Sequence, residues 1–153
     1  GCVVLANPDM DKIGKNLQVG LTPVVISDNV DWIDPKELAA QRSELSRNIE
    51  NWRRDWESRD TETYLRHYAR KFSSNGITLA QWSAQKRQVN ASKAWIKVQL
   101  SDVSLLLYPG KEQIAVTTFE QDYGSSNLSN RMKKRQYWIK EGGKWLIVYE
   151  GAA

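Results

Sequence analysis

The chain has 153 residues, enough for one ordinary domain with an appendage, and its 41% hydrophobic content with seven tryptophans can fill a sizeable core, which excludes disorder over most of it. No stretch approaches the roughly 20 apolar residues of a membrane-spanning helix, and the first residues lack the basic, apolar and small-residue order of a secretory signal. A single cysteine, Cys2, excludes an internal disulfide and a cysteine-rich metal site, while the formal charge of +4 favours acidic partners.

Residues 1–33 differ in texture from the rest. Val3-Val4-Leu5 and Thr22-Pro23-Val24-Val25-Ile26 read as strands, Asn7-Pro8 as a turn, and a short helix lies between. Such a piece cannot bury enough surface to stand alone, so it is expected to be a fragment of something larger or to lean on the domain after it.

Asp34-Pro35 starts a helix, the aspartate as cap and the proline at the first position, where its missing N–H costs nothing. Leu38, Leu45, Ile49, Trp52 and Trp56 form its single apolar stripe. Ser58-Arg59-Asp60 breaks it, and Asp60 or Thr61 caps a shorter helix carrying Tyr64, Leu65 and Tyr68. After an extended piece around Phe72, Thr78 opens a third helix through Leu79, Trp82 and Val89, ending before Lys93.

Everything afterwards reads as strand. Trp95 to Leu107 alternates up to a turn at Tyr108-Pro109-Gly110; Ile114 to Tyr123 alternates again. A polar loop over Gly124 to Asn130, a strand from Met132 to Lys140 and a tight Glu141-Gly142-Gly143 turn into Trp145 to Glu150 complete a meander. Bends are expected at Ser101-Asp102 and Tyr123-Gly124. The predicted class is α+β, with helices packed on a curved antiparallel sheet forming a half-open cone. The basic run Arg131, Lys133, Lys134, Arg135 falls on one strand as a solvated face, so nucleic acid is not expected as a partner.

Trp52, Trp56, Asp60, Tyr64, Tyr68 and Phe72 recur every four residues, followed by Trp82 with Lys86-Arg87, Phe119-Gln121-Tyr123, Lys134 and Gly143-Lys144-Trp145-Leu146-Ile147. From about residue 38 to 150 this resembles the nuclear-transport-factor-2-like, or cystatin-like, domains, most closely those appended to bacterial L,D-transpeptidases. Gly1-Cys2-Val3-Val4-Leu5 with Asn7 is similar to the end of the L,D-transpeptidase catalytic motif, and Val19 to Ile26 to that domain's closing strand. The resemblance implies two units, 1–33 as the remnant of a catalytic domain and 34–153 as the appended domain. It also implies a periplasmic or envelope setting, with any export signal upstream of Gly1.

The same resemblance would make Cys2 the thiolate nucleophile of a longer parent. The family's upstream histidine is absent, and the lone His67 lies on a helix of the other unit, so this stretch by itself is expected to be inert. The appended unit is expected to bind rather than react, using an aromatic pocket of Trp56, Tyr68, Trp82 and Tyr123 with Arg87, Gln121 and Lys134 as polar anchors. Peptidoglycan, a muropeptide or an envelope protein is the expected partner, with no cofactor and no metal. Two alternatives stand beside it. One is small-molecule catalysis of the ketosteroid-isomerase or dehydratase kind, for which Asp55, His67, Asp102 and Glu120 are candidates without an evident pair. The other is a homodimer through the sheet.

Overall fold

The computed structural model describes residues 4–18, 22, 24, 32–108 and 112–153. Expectations for Gly1, Cys2, Val3, Pro109 and Gly110, and for most of the strand over 22–26, lie outside those residues. Helix α1 (Asn7–Gly14) comes first, and none of its residues is buried. The predicted Asn7-Pro8 turn is in fact a helix start, because proline in the first turn gives up no intrahelical bond. Val4 and Leu5, expected in a strand, are exposed and have no regular structure.

Helix α2 (Pro35–Glu57) begins as the sequence dictates. The Asp34 carboxylate accepts from the Lys36 N–H at 2.8 Å with Pro35 in the first turn. Its stripe of Leu45, Ile49, Trp52 and Trp56 is buried. Arg59 takes a left-handed φ of 62° and turns the chain into α3 (Thr61–Leu65), which Asp60 caps through both the N–H and the hydroxyl of Thr63. Tyr68 was expected on this helix. It lies beyond the helix end and is bridged in parallel to Ile147.

A small hairpin, β1 (Ser73–Ser74) and β2 (Ile77–Thr78), turns on Asn75-Gly76, both with positive φ. Helix α4 (Leu79–Ala91) follows from a capping box between Thr78 and Gln81. Four long strands complete the chain: β3 (Ile96–Leu107), β4 (Ile114–Ser125), β5 (Ser129–Glu141) and β6 (Lys144–Ala152), paired antiparallel in the order β3-β4-β5-β6. The last turn uses Gly142 and Gly143 at φ 56° and 79°, values that side chains disfavour.

The register of β3 on β4 slips between Ser101 and Ser104, with Asp102 at φ 51°, so the expected bend there is real. The bend expected at Tyr123-Gly124 is absent. Both residues pair regularly with Val98 and Lys97 on one side and with Asn130 and Ser129 on the other, and the predicted loop shrinks to the residues between Ser125 and Ser129. The second slip falls instead between β5 and β6, where Tyr137 pairs Tyr149 but Trp138 pairs Ile147 and Val148 is the extra residue.

Both sheet margins are covered. On β3, the Val98 N–H donates to Glu57 and its carbonyl accepts from Arg53, while the Leu105 carbonyl accepts from Arg42. On β6, Ile147 exchanges backbone bonds with His67 and Ala69, and the Ser74 hydroxyl donates to the Glu150 carbonyl. The α2 stripe, Tyr64, Tyr68 and Phe72 meet Val98, Phe119, Trp138, Trp145 and Ile147 in one core between helices and sheet. Among the described residues no helix is long and apolar enough to cross a membrane.

Candidate functional site

Alternation sorts the sheet into two faces, and register aligns the inner one. Phe119 opposes Lys134, Thr117 opposes Gln136, and Gln136 opposes Glu150. A strict period of two from Trp145 and Ile147 would bring Tyr149 inward and send Glu150 to solvent. The bulge at Val148 reverses that phase, and Glu150 is only 2% exposed.

Glu150 is the hub of the interior. One carboxylate oxygen accepts from Lys134 Nζ at 2.6 Å; the other accepts from the Tyr68 hydroxyl at 2.6 Å and Gln136 Nε2 at 3.1 Å. Tyr68 in turn accepts from the Trp52 indole at 3.1 Å and shares a 2.7 Å bond with the Tyr64 hydroxyl. Burial pushes the Glu150 carboxyl up, but the Lys134 and Lys86 charges and the bonds from Lys134 and Tyr68 outweigh it and hold it below the usual range. Tyr64 and Tyr68 are raised well above 10, chiefly by burial and secondarily by the Glu150 charge, and stay neutral.

A second ammonium joins this group. Lys86 lies one turn after Trp82 on α4, and its Nζ sits 4.5 Å from the Trp82 ring centre and 5.3 Å from that of Trp56. Lys134 Nζ lies 5.1 Å from the same Trp56 ring and 5.6 Å from Trp52. Burial lowers the Lys86 pKa from 10.5 to about 8, with the Glu150 charge opposing and the Lys134 charge assisting. Among the described residues no oxygen accepts a hydrogen bond from Lys86. Lys86 is itself half-buried, whereas the Trp56 and Trp82 indole N–H groups and the Gln121 side-chain oxygen are buried without partners among those residues. Two ammonium groups, the buried Lys134 and the half-buried Lys86, therefore act on one carboxylate, with unspent hydrogen-bonding groups in the aromatic wall.

Of the residues singled out in the sequence, Trp56, Tyr68, Trp82, Tyr123 and Lys134 come together around this hub or its walls; Tyr123 stacks on Trp56 at 5.2 Å. Gln121 lies on the same face of β4, 2% exposed. Arg87 does not join them. It is exposed and holds Glu62 bidentately at 2.6 and 3.2 Å, because its helix position points about 100° away from that of Lys86. Lys86 and Glu150 were missed. The four-residue step from Trp82 marks Lys86, whereas nothing short of the bulge marks Glu150. Among the candidates for catalysis, Asp55 and His67 do pair, at 2.6 Å between Oδ2 and Nε2, joining α2 to the segment after α3. Asp102 is the bulge residue, and Glu120 faces Arg131 across the outer sheet.

The sequence family described as the Cds6 C-terminal NTF2-like domain matches residues 44–151. The chain belongs to that NTF2-like family. No curated protein matches it. Among solved structures, the NTF2-like chain is similar to Bd1075 of Bdellovibrio bacteriovorus, with 29% identity and a TM-score of 0.87 over 100% of this chain and 54% of that one. It is also similar to the helical cell shape determining protein Pgp2 of Campylobacter jejuni, with 26% identity and a TM-score of 0.74 over 99% of this chain and 54% of that one. An NTF2-like protein of Pseudomonas putida shares the fold at 16% identity and a TM-score of 0.63, over 73% of this chain and 84% of that one. The chain thus spans about half the length of Bd1075 and Pgp2.

Proposed function

We propose that this NTF2-like domain is the non-catalytic accessory part of an envelope L,D-transpeptidase, and that its cone binds a carboxylate-bearing stem of peptidoglycan. The observation that carries the binding reading is the unpaired ammonium of Lys86 beside the Lys134–Glu150 pair, walled by Trp56 and Trp82. A ligand carboxylate there would give the second cation its counter-charge and offer acceptors to the orphaned indoles. Binding is favoured over acid–base catalysis because both oxygens of Glu150 are already held by donors, which makes it a weak base.

The parent assignment is supported by two observations besides the Gly1-Cys2 resemblance. The likeness to Bd1075 and Pgp2 runs through the region before α2, and Pgp2 determines helical cell shape. Met10 and Ile13 of α1 and Leu17 after it leave an apolar side exposed, as they would in a piece of another domain. Cys2 would be the parent's nucleophile.

The test is a calorimetric titration of soluble muropeptides into the chain and into Lys86→Gln and Arg87→Ala. The expected result is saturable binding, weakened about tenfold or more by Lys86→Gln and unchanged by Arg87→Ala. No binding to the unaltered chain, or equal binding by all three, would sink the reading and leave a protein partner or a second copy as the better account.

A further inference from the structure

On the opposite face of the sheet, Trp95 precedes β3 and is 48% exposed, its ring lying over Gly124. A Cβ at Gly124 would sit 3.6 Å from that ring, so the indole packs directly over the glycine. The hollow there measures about 570 Å³, within the usual range for small-molecule sites. Lys97, Gln99, Asp122 and Arg131 form its polar rim. A second hollow of about 370 Å³ shares Gln99 and Asp122 and continues the groove toward α2.

The site here is more open to solvent than the cone's, with Trp95 48% exposed. Arg131 lies between Asp122 at 3.7 Å and Glu120 at 3.8 Å, so its charge is balanced, while Lys97 on β3 adds a second cation to the rim. The rim mixes the Gln99 amide, which both donates and accepts, with the Asp122 carboxylate and the Arg131 and Lys97 donors, which suits groups that donate and accept at once. Vicinal hydroxyls have that property. The C–H groups of a β-linked pyranose form a flat, faintly positive apolar face, which the negative face of an indole attracts.

We propose that this groove is a saccharide site, in which a β-linked hexose chain lays one ring on Trp95 and hydrogen-bonds its hydroxyls to Lys97, Gln99, Asp122 and Arg131. The site is separate from the cone and does not depend on what the cone binds. The backbone around Trp95 holds the indole in place, with Ala94 N–H donating to the Ser126 hydroxyl at 2.9 Å and the Trp95 carbonyl accepting from Ser126 N–H at 3.3 Å.

The probes are chitotetraose and cellotetraose, with α-linked maltotetraose as the curved control, followed by saturation-transfer NMR and calorimetry on the whole chain. The two β-linked probes should bind saturably. Trp95→Ala should weaken them about tenfold or more, Trp95→Phe only a few-fold, and Gly124→Val should weaken them by pushing the indole off its seat. Lys86→Gln should change nothing. Thermal midpoints establish that each variant is folded, and Gly124→Val decides the matter if Trp95→Ala is not. Absence of binding at millimolar probe, undiminished binding by both folded variants, preference for maltotetraose, or loss of binding in Lys86→Gln would each overturn the proposal.

Discussion

The two faces of the sheet carry similar residues under opposite rules. Lys134 and Lys133 are neighbours on β5, yet one is 6% exposed against Glu150 and the other is half-exposed on the outer face. Outside, Arg131 hovers 3.7 to 3.8 Å from its two carboxylates, as surface charges commonly do, and each contact is worth little in water. Inside, a single carboxylate organises a lysine, a tyrosine and a glutamine through bonds of 2.6 to 3.1 Å. The lesson is that position in the pleat, rather than residue type, decides whether a charge is structural.

The largest effects should come from unbalancing the inner hub. Glu150→Ala or Lys134→Ala alone leaves an uncompensated buried charge and should lower stability by about 3–5 kcal/mol in denaturant melts, whereas Lys134→Met with Glu150→Leu should cost far less than the sum of the two. If the double change costs as much as the sum, the pair is not the coupled unit described. Acid should act on the same hub. The Glu150 carboxyl lies below its unfolded value of 4.5, so its stabilising contribution is present above that pH and disappears as pH falls through the lower, folded value. Acid unfolding of Glu150→Gln should be correspondingly flatter.

Lys86 should behave in the opposite sense. Its folded pKa of about 8 lies under the 10.5 of the free side chain, so the unfolded state holds more protons between the two and stability should rise with pH across that window. Lys86→Gln should remove the rise without weakening the fold at neutrality, and muropeptide affinity should decline above about pH 8 in the unaltered chain only. The smallest effects belong to the outer surface. Arg131→Ala should shift the unfolding free energy by about 0.5 kcal/mol or less and Arg87→Ala should leave the denaturant midpoint unchanged, and a clear loss at either would erase the contrast with the hub.

The fold was largely readable because its signals are local. Asp34-Pro35, Asp60, the Thr78–Gln81 box and the glycine turn each act within a few residues. Much of the aromatic wall was readable too, since Trp52, Trp56, Tyr64 and Tyr68 share one spacing. The features that escaped depend on remote partners. Glu150 faces inward only because β6 carries one residue more than β5 at Val148, and the Asp55–His67 and Arg87–Glu62 pairs join separate elements whose approach no spacing announces. Lys86 was overlooked for the adjacent arginine, although one residue along a helix is the difference between the cone and the solvent.

The capping of Val98 bears on how such domains can be crowded. With Glu57 and Arg53 occupying its amide and carbonyl, the outermost strand presents no ready template at that point to another chain. A neighbour approaching along that margin would have to part Arg53 from Glu57 before gaining its first rung. A second sheet would therefore have to begin its pairing elsewhere along β3.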